Sequence, residues 1–124
     1  MNRSNDKSAL PGEPLAFSSP VLNYLFEEFK YNVRTIYSQR FAGQDDKCFT
    51  KNNDNPDNYA KCLYAILRES EDLMRDIEFK TFYVQKKIQE CIDSPTYQAN
   101  AKEGEVYCSN EAQKYIEQVL KSLN

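Results

Sequence analysis

The sequence predicts an all-α, elongated fold: three antiparallel helices around one long central helix, with the turns stapled by two disulfides. Three observations predict it. Apolar residues recur at steps of three, four and seven in three separate stretches, which is the period of a helix and not of a strand. Prolines and glycines punctuate the chain between those stretches. Four cysteines fall near the expected helix ends.

Taken in order, residues 1–18 read as an extended N-terminal arm, and residues 19–124 as one disulfide-stapled helical domain. Pro11, Gly12 and Pro14 argue against regular structure in the arm. Ser19-Pro20 opens the first helix, with Ser as N-cap and Pro at the first helical position. Its apolar stripe is Leu22, Leu25, Phe26, Phe29, Val33, Ile36 and Tyr37. Arg40 lies in its last turns, and Gly43 is a natural stop. Tyr24 and Tyr31 form a second stripe. Either their phenols reach into water beside the core, or this helix is covered on two sides, once by the long helix and once by a partner. Tyr24, Phe26 and Tyr31 are accordingly the interface candidates.

Gln44 to Pro56 reads as a polar loop carrying Cys48. Its Asn52-Asn53-Asp54-Asn55 run lacks the glycine and closing glutamate of a calcium-binding EF-hand loop. The long helix follows from Asp57 to Ile92, with Asp57 as N-cap after Pro56. Cys62, Ile66, Leu73, Ile77, Val84, Ile88 and Cys91 make its stripe, and Glu71–Arg75 and Asp76–Lys80 are supporting charge pairs on its exposed side. At 1.5 Å per residue it is about 54 Å long, too long for a compact globule of this chain, whose radius of gyration would be about 14 Å. Asp93 to Tyr107 reads as a second polar loop containing Pro95 and Gly104. The last helix, Ser109 to Leu123, has Ser109 as its cap and Ala112, Ile116, Val119 and Leu123 as its face.

Composition excludes several function classes. The net charge is −3, spread thinly, and counted by segment no basic face emerges, so a nucleic-acid partner is not expected. The longest apolar run, Cys62 to Leu67, is far short of the ~20 residues that span a bilayer. Met1 to Leu15 contains no apolar core of a secretory signal, which deprives the Asn2-Arg3-Ser4 sequon of a secretory context. With no histidine, no phosphate-binding glycine loop and no carboxylate pair in an apolar setting, neither catalytic residues nor a cofactor site is expected. Glu27-Glu28 and Asp45-Asp46 read as solvated surface acids.

The cysteines carry the most information. Gaps of 13, 28 and 16 residues do not suit a zinc site, and no metal ligand set is assigned. Two disulfides are the reading adopted, against four reduced thiols serving as small core residues. If the long helix is continuous, Cys62 and Cys91 stand about 43 Å apart on one stripe and cannot join, because bridged Cα atoms lie within about 7 Å. Joining Cys48 to Cys91 would stretch the intervening link almost fully. Cys48–Cys62 and Cys91–Cys108 remain. Disulfides in a chain lacking a secretory signal point to the mitochondrial intermembrane space, since the cytosol reduces them.

From here the chain resembles a known family, the PDSW-type accessory subunits of mitochondrial respiratory complex I. The resemblance rests on Cys62-Leu63-Tyr64 opening a charged, proline-free helix that closes at Cys91, with one cysteine shortly before it, Cys48, and one after a Tyr- and Gln-bearing loop, Cys108 after Ser94-Pro95-Thr96-Tyr97-Gln98. An aromatic helix opened by Pro20-Val21 precedes it, and an amphipathic helix follows. The match covers about residues 18 to 122. The cysteine-bounded loops are longer here, and the basic C-terminal extension of animal members is missing. The resemblance implies a non-catalytic subunit of the NADH dehydrogenase of the respiratory chain. It would be peripheral to the mitochondrial inner membrane on its intermembrane-space face, bracing other membrane-arm subunits of this electron-transport complex, with no redox centre, no proton channel and no transmembrane span. The competing class is a soluble intermembrane-space chaperone of the twin-cysteine hairpin type; another is an accessory subunit of a different respiratory complex.

Overall fold

A computed structural model of the chain describes residues 16–123. Among these the fold is entirely helical: α1 (Pro20–Phe41), α2 (Gln44–Lys51), α3 (Pro56–Ile92), α4 (Pro95–Ala99) and α5 (Ala101–Leu123). α1, α3 and α5 form a three-helix bundle. Its direction is set by contacts at both ends. Ser19 donates to Glu105 at one end of α1, and the Arg40 guanidinium donates to the Leu123 carbonyl at the other, so α1 and α5 run parallel. Cys91–Cys108, the Tyr83–Tyr115 ring pair and Lys80–Ser122 tie α3 to α5 in the opposite sense.

The core follows the predicted stripes. Phe29, Leu22, Ile88 and Val84 are among its fully enclosed side chains; burial of one such side chain contributes about 1.5–3 kcal/mol. Ser19 caps α1 by accepting from the Leu22 N–H. Gly43, at φ 73°, takes the left-handed conformation that ends α1 and starts α2, a geometry that costs a residue with a Cβ about 1 kcal/mol or more.

Five local expectations are corrected. The segment after Gly43 is a helix, α2, opened by Asp45 and Asp46 in its first turn, where acids meet the positive end of the helix dipole. Asn55, not Asp57, caps α3, accepting from the Asn58 N–H, and Pro56 is the first helical residue. The segment after Pro95 forms the single turn α4, capped by Ser94. The last helix begins at Ala101, with the Asn100 side chain accepting from the Glu103 N–H, so Ser109 lies inside it and caps nothing. On α3 the Asp76–Lys80 pair forms at 2.8 Å, whereas Arg75 faces Asp72 at 3.5 Å rather than Glu71.

Residues 1–15 of the arm, with the Asn2-Arg3-Ser4 sequon, lie outside the described residues. The arm's last stretch is not free. Phe17 is buried against Phe26, and the Asn23 side chain, also buried, accepts from the Phe17 N–H at 2.9 Å and donates to its carbonyl.

Candidate functional site

The two disulfides are Cys48–Cys62 and Cys91–Cys108, with Cα separations of 5.7 and 5.8 Å. The first clamps α2 to the opening turns of α3; Phe49 adds an edge-on contact with Tyr59. The second joins the last turn of α3 to α5. Cys48 and Cys108 are enclosed, while Cys62 and Cys91 are half-buried. Among the described residues no cysteine is free and no cluster of Cys, Asp and Glu is arranged to hold a metal ion.

The bundle does not use the whole of α3. Its buried residues begin at Leu73 and continue through Ile77, Val84, Ile88 and Ile92. From Pro56 to Asp72 none is buried, so about 25 Å of helix projects past the core. Beside this overhang the last turns of α1 leave an open apolar groove of about 500 Å³, lined by Tyr37 and Phe41 of α1 and by Ala60, Leu63, Tyr64, Ile66, Leu67 and Ser70 of α3. Within it Tyr64 and Leu67 are 72% and 53% exposed.

The three interface candidates separate. Tyr24 and Tyr31 are 66% and 65% exposed on the solvent side of α1. A hydrogen bond to Glu28 and that residue's charge raise the Tyr24 phenol's pKa above the usual tyrosine range. Phe26 is 3% exposed, packed between Phe17 and Phe29. It is a core residue and is withdrawn as a contact candidate: it sits on the α1 face turned toward the bundle.

Sequence reasoning missed the groove. Its α3 residues were present as apolar positions, but which of them the bundle leaves open depends on how far α1 reaches along α3. It missed a second concavity as well, a cleft of about 460 Å³ over the Cys91–Cys108 bridge, bordered by Lys87, Glu90, Tyr107, Glu111 and Tyr115. There Lys87 bonds Glu90 at 3.2 Å and sits 5.1 Å from the Tyr115 ring centre. Glu90, then Tyr115, hold its ammonium above the ordinary lysine range. Glu111, on the other rim, pairs with Lys114 at 2.9 Å. Among the described residues no helix is long and apolar enough to cross a membrane. Compared with family models, curated proteins and solved structures, the chain finds no match.

Proposed function

We propose that this protein is a non-catalytic structural subunit, a stapled helical brace held permanently against partner proteins. The observation that carries the reading is the overhang: α3 projects about 25 Å past its own core with an open apolar groove along it. Such a surface is costly in water and stabilising under a partner. Exposed Tyr24 and Tyr31 supply aromatic anchors on a second side.

The resemblance carried by Cys62-Leu63-Tyr64, Cys91 and the flanking cysteines makes the reading specific: an accessory subunit of mitochondrial complex I, on the intermembrane-space face of its membrane arm, with other membrane-arm subunits as partners. The twin-cysteine hairpin alternative draws no support from the pairing. That class places two bridges across one pair of helices, whereas here one bridge joins α2 to α3 and the other joins α3 to α5.

The deciding experiment is a native gel of solubilised mitochondrial membranes stained for NADH:ubiquinone oxidoreductase. The protein should migrate with that activity. Its depletion should lower the assembled complex and affect NADH oxidation by artificial acceptors less. A protein found only as a small free species overturns the subunit reading. Migration with another respiratory complex keeps the brace and overturns the complex I assignment.

A further inference from the structure

The side of α3 turned away from the bundle has an ordered composition. Lys61, Arg68, Arg75 and Lys86 are all exposed, and their spacings are close to about two, two and three whole helical turns. Tyr64, Phe79 and Phe82 lie on the same line, 72%, 65% and 58% exposed. Tyr64 and Phe82 are separated by about five full turns. All seven fall within an arc of about 60° centred opposite the buried stripe. Between Lys61 and Lys86 that arc holds only cations and aromatic rings. Glu71, Asp72 and Glu78 lie just outside it, on the two flanks. Among the described residues Lys61, Arg68 and Lys86 form no ion pair, and Arg75 has only the exposed 3.5 Å approach to Asp72. Phe79 and Phe82 belong neither to the buried core nor to the residues packed against it.

We propose that this ridge is a docking surface for an anionic phospholipid bilayer, with α3 lying in the plane of the headgroups. Shape selects this occupant. A plane tangent to a helix touches only its outermost arc, here about 37 Å of cations and rings from Lys61 to Lys86, with Asp57 one turn beyond the N-terminal end. The flanking acids then stay in water. A concave protein or a nucleic-acid groove would enfold the flanks and bring Glu71, Asp72 and Glu78 against itself. Chemistry agrees: lysine and arginine stems lie along apolar surface while their charges reach phosphate, and aromatic rings settle at the headgroup boundary. The inference does not rest on the complex I assignment.

The test is co-sedimentation of the full-length oxidised protein with vesicles of phosphatidylcholine, alone or with roughly a third phosphatidylglycerol. Binding is expected to the anionic vesicles and to weaken as salt rises. Each ridge cation changed to Gln should cost roughly fivefold in partitioning. Phe79→Ser with Phe82→Ser should weaken it further, with thermal unfolding of every variant read alongside to establish that it folds. Lys102→Gln with Lys121→Gln, on α5, should leave binding unchanged. Absence of binding, equal binding to neutral vesicles, or equal losses in the α5 variant would each overturn the proposal. So would ridge variants that keep vesicle binding, or that lose only protein partners. A native-gel failure of the subunit reading with vesicle binding intact separates the two conclusions.

Discussion

At the residue scale, two small polar or Cβ-less positions decide more than their size suggests. Gly104 is buried inside α5, and a Cβ placed there would meet the Tyr97 Cα at 2.6 Å and its ring at 2.9 Å. The absence of a side chain lets α4 fold back onto α5 over the Cys91–Cys108 junction. Gly104→Ala gains helix propensity of about 1 kcal/mol, but the clash is with backbone, which cannot rotate away. The expected outcome is a net loss of about 1–3 kcal/mol, read as a lower midpoint in chemical denaturation. Asn23 is the second position. Asn23→Ala leaves the buried Phe17 N–H and carbonyl without their partner, and a loss of about 2 kcal/mol is expected. A stability unchanged within error would show that water replaces the amide there. Tyr31 differs from both. Being exposed, Tyr31→Ala should change folding by less than about 0.5 kcal/mol while weakening partner capture by about 2 kcal/mol or more. A variant that melts early yet still co-purifies places Tyr31 in the fold instead of the interface.

At the scale of elements, the disulfides do for α2 and α5 what a thicker core would do in a larger domain. α2 has eight residues, too few to be stable alone, and Cys48 is its one buried residue. It is held by its bridge and by Phe49 against Tyr59. The Cys91–Cys108 bridge closes a 17-residue separation, for which the chain-entropy model gives about 3 kcal/mol. Cys91→Ser should therefore lower stability by about that amount, and reductant, which opens both bridges, should lower the wild type by more and the variant by less. Unfolding that is indifferent to both treatments would mean that helix packing alone holds the junction. The periodicity of α1 and α3 was legible because each has a long stripe bounded by strong signals, Ser19-Pro20 and Gly43 for one, Pro56 and Pro95 for the other. α2 and the first turns of α5 were not. Their apolar positions are too few to establish a period, and Gly104 reads as a breaker until Tyr97 is seen packed on it.

At the scale of the molecule, a small core holds one end of a long rod. The bundle occupies α3 from Leu73 onward; the projecting remainder carries the groove, and the cationic-aromatic ridge runs from that remainder along the outer side of the bundle, with Tyr64 bordering both. A molecule of this shape presents different chemistry on different sides, as the proposed role of a peripheral subunit between proteins and a bilayer would require. Its co-migration with NADH:ubiquinone oxidoreductase activity is the molecular-scale prediction, and loss of assembled complex on depletion its functional counterpart.

The sequence by itself determined the helical class, the continuity of α3 and, through that continuity, the cysteine pairing: a rod cannot bring Cys62 to Cys91. Local periodicity and chain geometry suffice for those conclusions. Tertiary structure alone decided that Phe17 joins the core through Asn23 and that α3 outruns its bundle. These depend on where one helix ends along another. That register is set by how the buried residues of α1, α3 and α5 share one core, and it leaves no periodic trace in any single stretch of chain.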